Sequence, residues 1–307
     1  MEQAILRTVL YADIFDYALT PEEIHLFLID HNSASLEQIQ RALVTSTFLN
    51  QHLWQSEEFI VMTGREHLVP LRKERTLAAQ HLWPRAMRYG TWLARLPFVR
   101  MVALTGALAM RNSPDTHDDL DYIVVTKPGR VWLARAFAVL LVRLVRLRGS
   151  EICPNYVVSE NRLAQSRRDL FIAHEIVQMI PVYGTTVYQR LLDENRWLKA
   201  FLPNAHNSPN LDHQGATGIG WERLKHLLEF TLGGRVGDAI ENWEFRRKFQ
   251  RFSPEAAQSQ SAAEIDAETV KGHFVDNGNP ILHQYYERLC EYGLANEDPA
   301  MVTMTEK

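Results

Sequence analysis

Two apolar runs, separated by a glycine and a polar loop, constrain this chain more than any other feature. Residues 102–104 are apolar and are followed by Gly106, and the second run opens with Asp119, Leu120 and Asp121. Because strand residues two apart point to the same face, Asp119 and Asp121 are predicted to project together, about 7 Å apart. Neighbouring carboxylates raise each other's proton affinity, so a divalent cation such as Mg²⁺ between them would be favourable.

Gly106 would complete a phosphate site beside this metal. A glycine lets the backbone approach a ligand closely because it has no Cβ. The first N–H groups of the helix that follows would point toward an anion. A metal on Asp119 and Asp121 and a phosphate at Gly106 would together hold a nucleoside triphosphate.

These residues resemble the signature of the polymerase-beta-like nucleotidyltransferases, in which Gly-Ser or Gly-Ala precedes a loop and an Asp-hydrophobic-Asp-hydrophobic strand. The matching residues here are Gly106-Ala107 and Asp119-Leu120-Asp121-Tyr122. The wider context is similar to prokaryotic nucleotidyltransferase-domain proteins over roughly the middle half of the chain. The resemblance implies an α+β fold, with a nucleotidyltransferase-type mixed sheet flanked by helices.

The resemblance also implies an activity: Mg²⁺-dependent transfer of a nucleotidyl group from a nucleoside triphosphate to an acceptor hydroxyl, with release of pyrophosphate. Asp119 and Asp121 would be the catalytic residues and would hold one or two Mg²⁺ ions. Gly106 and Ala107 would bind the nucleotide. The acceptor stays open: it could be a small molecule such as an aminoglycoside or another alcohol, a protein hydroxyl, or an RNA end.

Two departures from the family pattern bear on turnover. The usual Ser is replaced by Ala107, which has no hydroxyl for a phosphate. Active members usually carry a third carboxylate on a later strand, but the strand predicted over Ile152–Val158 offers Asn155. An amide oxygen can bind a metal but cannot act as a general base. Glu151 and Glu160 flank this strand and could substitute for the missing acid.

Two other functions are open. A catalytically degraded protein could bind nucleotide and metal as a regulator without turnover. Alternatively, the chain could be a DNA-binding regulator, since its N-terminal segment has the element order of a winged helix. The predicted recognition helix, residues 35–47, carries Arg41 as its one basic residue. DNA-reading helices carry several donors, so this composition argues against sequence-specific DNA binding.

Three segments are predicted along the chain. Residues 1–65 form a winged-helix-like unit that ends in a hairpin. Residues 66–190 form the nucleotidyltransferase-like domain, led by a connector helix, and residues 191–307 form a helical C-terminal region. Caps at Thr20 and Ser35 are predicted to begin two of the N-terminal helices.

Three histidine and arginine features have weaker functional interpretations. An apolar helix over Leu170–Ile180 would carry His174, either as a proton carrier or as a packed structural residue. His273 and Asp276 could suggest a metal, although two ligands before a turn are weak evidence. Arg72 belongs to a charged cluster that is expected either to be solvated or to face the triphosphate.

Composition limits the setting of the protein. The net charge of −4 argues against a protein that coats nucleic acid. The sequence shows neither a signal peptide pattern nor an apolar run of membrane-spanning length, so we expect a cytoplasmic protein with no membrane partner.

Overall fold

The computed structural model describes residues 1–56, 58–147, 149, 151–205, 218–256, 264–271 and 278–295. These residues form twelve α-helices, one 3-10 helix, a small two-stranded sheet and a five-stranded mixed sheet. The predicted α+β class, with a mixed sheet flanked by helices, is therefore confirmed.

The N-terminal segment consists of four helices and a hairpin. Its elements are α1 (Glu2–Asp13), α2 (Pro21–Leu26), α3 (Leu36–Thr45), α4 (Thr47–His52), β1 (Leu53–Gln55) and β2 (Ile60–Met62). Both predicted caps are confirmed, because the side chains of Thr20 and Ser35 accept the N–H groups of Glu23 and Gln38. Each cap satisfies a donor that the first turn of a helix leaves without an intrahelical partner.

The middle of the chain builds the large sheet and most of its helices. Its elements are α5 (Leu68–Ala94), β3 (Val99–Leu104), α6 (Gly106–Ala109), β4 (Leu120–Thr126), α7 (Val131–Arg146), β5 (Ile152–Ser159), α8 (Leu170–Val177), β6 (Ile180–Tyr183) and α9 (Thr185–Glu194). A short 3-10 helix, Arg196–Ala200, follows α9. The three predicted strands β3, β4 and β5 are adjacent: β3 and β4 are antiparallel, and β4 and β5 are parallel.

The C-terminal part adds helices and one strand. Its elements are α10 (Ile219–Leu232), α11 (Arg235–Ala256), β7 (Thr269–Lys271) and α12 (Gly278–Glu291). The order of strands in the large sheet is β6-β3-β4-β5-β7. The break between α10 and α11 falls at Gly233 and Gly234, where the chain has two poor helix formers in succession.

Two of these strands correct the sequence-based expectation. The apolar helix predicted to reach Ile180 ends at Val177, and Ile180 begins β6, which pairs with the free edge of β3. The C-terminal region, predicted to be helical, contributes β7 to the opposite edge, beside β5. Both strands are short, and the backbone hydrogen bonds that define them come from partners distant in sequence.

Both faces of the large sheet are covered by helices. Leu120, Tyr122 and Val124 are buried on the face that α5 and α7 cover. Ile123 and Val125 belong to a second core, which includes residues of α1, α8 and α12. Asp121 alternates with Leu120 and Tyr122 along β4, so it shares the face of Ile123 and Val125.

Candidate functional site

Gly106 and Asp121 meet where β3 leaves the sheet. The N–H of Thr105 donates to the carbonyl oxygen of Asp121 at 3.0 Å, which fixes the two strands side by side at this point. Gly106 follows with φ +69°, a conformation that L side chains rarely adopt. A Cβ at this residue would lie 2.8 Å from Oδ2 of Asp121. The turn therefore needs glycine both for its backbone angle and for the carboxylate against it.

Asn155 lies beside the same carboxylate. The parallel register of β4 and β5 shifts between Asp121 and Ile123, opposite the segment of β5 that contains Asn155. The Asn155 side-chain amide donates to Oδ1 of Asp121, and the Cys153 thiol donates to the amide oxygen of Asn155. The sequence prediction that these strands bring Asp121 and Asn155 together agrees with this geometry. Here Asn155 acts as a donor to the carboxylate.

The Asp121 carboxyl is largely withdrawn from water. Burial raises its pKa to about 6, and the nearby charges of Asp119 and Asp118 act in the same direction. The hydrogen bond from Asn155 lowers the pKa and offsets part of this effect. A buried carboxylate near other acids gains from a cation, which would remove the cost of holding the negative charge.

Asp119 is more exposed and has different neighbours. Partial burial raises its pKa, and the charge and hydrogen bond of Glu151 raise it further, while Arg146 lowers it. Glu151 is itself paired with Arg146 at 2.9 Å. Asp119 thus lies within electrostatic reach of Asp121, at the edge of a polar group that contains Glu151 and Arg146.

A cavity of about 650 Å³ opens over the Asp121 face of the sheet. Residues from the sheet, α1, α8 and α12 line this cavity, which we call the chamber; they include Tyr11, Gly106, Asp121, Asn155, Glu175 and Ile281. Thr105 and Ala107 also line it, whereas Asp119 does not. The volume is in the range of pockets that hold one small ligand.

Glu175 is a chamber residue that the sequence analysis did not single out. It lies on α8, which begins after Asp169, whose side chain accepts the N–H of Ile172 at 2.9 Å. Burial raises the pKa of Glu175 to about 7, and the charge of Asp121 raises it further. Its carboxylate accepts a hydrogen bond from Gln178, and the charge of Lys271 also lowers the pKa. The available signal was a carboxylate in a helix whose other residues, apart from His174, are apolar.

His174 lines the same chamber as a neutral aromatic residue. Its ring stacks on Tyr11 and Phe27, with centroid distances of 4.2 and 5.6 Å. Its Nδ1 is 3.0 Å from the carbonyl oxygen of Leu170, and burial lowers its pKa to about 4. The structural interpretation of this histidine is therefore favoured over a proton carrier at neutral pH.

Several other predicted residues lie away from the chamber or have other partners. Glu160 follows the last residue of β5 and is 3.6 Å from Arg190. Arg72 is neither solvated nor facing the chamber: it is buried and donates to Glu23 at 2.8 Å and to the carbonyl oxygen of Arg111 at 2.9 Å. It ties the N-terminal segment to the loop that follows α6. His273 and Asp276 lie outside the described residues.

Metal-binding clusters, membrane-spanning helices and similarity to known proteins would each narrow the function of the protein. Within the described ranges, no group of three or more His, Cys, Asp and Glu side chains is placed to hold a metal ion. None of the helices that the structure describes is long and apolar enough to cross a bilayer. Comparisons with protein-family models, with curated proteins and with solved structures found no match.

Proposed function

We propose that this chain is a Mg²⁺-dependent nucleotidyltransferase, which moves a nucleoside monophosphate group from a nucleoside triphosphate to an acceptor hydroxyl and releases pyrophosphate. One observation carries the proposal: Gly106, which follows β3, meets Asp121 of β4 and Asn155 of β5 at the floor of the chamber. Gly106 and Asp121 belong to the signature that the resemblance to the polymerase-beta-like nucleotidyltransferases implies, and Asn155 lies on the strand where active members usually carry a third carboxylate. A structural turn alone would require neither a buried carboxylate nor a cavity above it.

The donor set suits a metal ion that arrives with its substrate. Mg²⁺ is often held by one or two carboxylates together with substrate phosphates. Asp121 would supply the buried carboxylate, and Asp119 is the second carboxylate within its electrostatic reach. Bound there, the ion would neutralise charge on the phosphates. The Asn155 amide, which donates to Asp121, would hold that carboxylate in place.

The backbone at Gly106 would receive the phosphates. Gly106 begins α6, and the first N–H groups of a helix have no partner within it. Ala107 is exposed beside them and lines the chamber. The missing hydroxyl at Ala107 removes one hydrogen bond but leaves the backbone donors available.

Glu175 would supply the base that the third strand lacks. The acceptor hydroxyl would give its proton to the Glu175 carboxylate as its oxygen bonds to the α-phosphorus. The bond from that phosphorus to the bridging oxygen would break, and pyrophosphate would leave with that electron pair. A pKa of about 7 suits a group that must accept a proton at neutral pH.

The test is calorimetric titration of each nucleoside triphosphate with Mg²⁺ into the full chain. We expect one nucleotide to bind, and we expect Asp121→Asn to weaken its binding at least about tenfold, since a charge-assisted metal ligand is lost. The matched control is Asp193→Asn, an exposed aspartate paired with Arg196. Absence of binding to every triphosphate, or an unchanged affinity in Asp121→Asn, would contradict the proposal.

A second function is supported by Asn155. An amide in place of the third carboxylate favours a protein that binds Mg²⁺ and nucleotide as a signal and passes it to a partner. Pyrophosphate release separates the two functions. Nucleotide binding without pyrophosphate release, across candidate acceptor classes, would favour the sensor. A DNA-binding regulator is the third possibility, and a salt-sensitive, sequence-specific gel shift would support it.

A further inference from the structure

The chamber has an aromatic and aliphatic wall opposite the sheet. Tyr11 of α1, Phe15, Phe27, Phe171 of α8 and Ile281 of α12 contribute to it. The neutral ring of the histidine on α8 stacks on Tyr11. A ligand held against these side chains gains by removing apolar surface from water.

The polar side chains of this wall are mostly engaged within the protein. Thr8 donates to the carbonyl oxygen of Ala4, and Gln178 donates to Glu175. Gln165 donates to the carbonyl oxygen of Leu163, and Arg167 is paired with Asp169. Few polar groups of the wall are thus left for a strongly polar ligand.

Tyr11 is the exception. Its side chain is 4% exposed, and its Oη has no hydrogen-bond partner among the residues that the structure describes. A buried hydroxyl without a partner is unfavourable, so a ligand that supplied a partner would bind more tightly. Burial and the charge of Glu175 raise the pKa of Tyr11, so its hydroxyl stays protonated and can donate.

Tyr11 and Glu175 offer complementary roles to one ligand group. Tyr11 can donate a hydrogen bond and Glu175 can accept one, and both residues line the chamber, where the ring of His174, the residue before Glu175, stacks on Tyr11. An alcohol both accepts and donates, so a single hydroxyl can use both residues. An ether of the same shape can accept from Tyr11 but cannot donate to Glu175, and a hydrocarbon can do neither.

We propose that the chamber binds a small, uncharged alcohol with an aromatic or aliphatic body, whose hydroxyl lies between Tyr11 and Glu175, and that this alcohol is the acceptor of the transfer. The identification as acceptor rests on the proposed function, whereas the binding of the alcohol does not. An RNA end would need cations for its phosphates. Of the described residues lining the chamber, Arg167 and Lys271 are the two basic side chains other than the neutral His174, and Arg167 is paired with Asp169.

A polycationic acceptor is disfavoured for the opposite reason. Asp121 and Glu175 are the carboxylates among the described chamber residues, and Asp121 is assigned to the metal. One remaining carboxylate cannot balance several ammonium groups in an apolar cavity. This charge balance separates a neutral alcohol from an aminoglycoside, which the sequence alone left open.

The test compares two probes of nearly the same shape, 2-naphthol and 2-methoxynaphthalene, by calorimetry on the full chain. We expect 2-naphthol to bind with 1:1 stoichiometry and about tenfold more tightly than the ether, since the ether can accept from Tyr11 but cannot donate to Glu175. Glu175→Gln should weaken 2-naphthol binding about fivefold and leave the ether within about twofold, whereas Tyr11→Phe should weaken the binding of both probes about fivefold, because both oxygens can accept from Tyr11. Ile281→Trp, which adds bulk to the apolar wall, should weaken binding of both probes.

A parallel titration of Mg²⁺-ATP separates this inference from the proposed function. Tyr11→Phe should leave the nucleotide affinity unchanged, and its thermal unfolding shows whether the fold is intact. Equal affinities for the two probes, no binding of either up to its solubility limit, or weaker Mg²⁺-ATP binding in Tyr11→Phe would each overturn the inference. The last result would assign the chamber to the nucleobase. If 2-naphthol binds as expected but no triphosphate does, the proposed function fails and the alcohol site remains.

Discussion

Gly106 and Asp121 are in contact where β3 and β4 lie side by side: a Cβ on residue 106 would lie 2.8 Å from Oδ2 of Asp121. Real Cβ atoms essentially never come so close to a neighbour, so any side chain here must displace the carboxylate. The turn and the proposed metal ligand are therefore one structural unit. A substitution at Gly106 therefore tests the position of the Asp121 carboxylate, although glycine itself has no side chain to bind a ligand.

We predict that Gly106→Ala weakens Mg²⁺-nucleotide binding at least about tenfold, because it combines an unfavourable backbone angle with a displaced Asp121. Gly129→Ala is the matched control, since Gly129 has φ +66° and a Cβ there would meet no described atom within 4 Å. It should lose about 1 kcal/mol of stability from backbone strain alone and keep its nucleotide affinity. Equal nucleotide affinities in the two variants would show that the contact with Asp121 is unimportant.

We predict that Glu175→Gln stabilises the protein at pH 8 by about 1–3 kcal/mol and has little effect at pH 4. The pKa of Glu175 is raised from 4.5 to about 7, so the folded state binds more protons than the unfolded state between these values. The stability that protonated Glu175 contributes in the wild type is therefore lost as the pH rises through 7. Glutamine stays neutral at every pH, so the variant keeps this stability. Urea unfolding of both proteins across this range measures the difference. A gain in the stability of Glu175→Gln that did not depend on pH would contradict the raised pKa of Glu175.

His174→Phe should have the opposite pH signature. The pKa of His174 is lowered from 6.5 to about 4, so the unfolded state binds more protons between these values and stability falls as the pH drops through this window. The phenylalanine variant should lack this loss while keeping the stack on Tyr11. In wild type, the effects of His174 and Glu175 oppose each other between pH 4.5 and 6.5. Urea unfolding of the two single variants separates them, and a titration of the His174 ring above pH 6, seen by NMR, would refute the prediction.

We predict that Asp13→Asn destabilises the protein by about 2 kcal/mol, because it removes the charge that two arginines share. Asp13 is buried and accepts from Arg65 at 2.9 Å and from Arg288 of α12. The exposed pair of Asp193 and Arg196 offers a comparison, and Asp193→Asn should cause no measurable change. Thermal unfolding distinguishes the two, and similar melting temperatures for both variants would count against this role for Asp13.

The elements that depend on local pattern were predictable from sequence. Strands β3, β4 and β5 follow apolar runs, and the N-terminal caps follow from the residues at Thr20 and Ser35. The first residue of β6, Ile180, was assigned to a helix because the apolar spacing of α8 continues into it. Only its pairing with β3, a contact distant in sequence, decides between the two states.

Some residues of the candidate site could likewise be predicted from the sequence, and others could not. Gly106, Asp121 and Asn155 could be named from sequence because each belongs to a strand or turn with a recognisable pattern. Glu175 and Tyr11 could not, because they reach the chamber from helices whose position depends on packing against the sheet. Arg72 shows the same limit: its charge predicts solvent or phosphate, whereas its position on α5 buries it against Glu23.

The chamber draws its walls from α1 and α12, the first and last helices that the structure describes. During synthesis on the ribosome, α1 and strands β3 to β6 emerge long before α12. The proposed alcohol site would therefore be incomplete on the nascent chain until Ile281 leaves the exit tunnel. If the chamber binds this ligand, the order of translation would make α12 the last element to complete its wall.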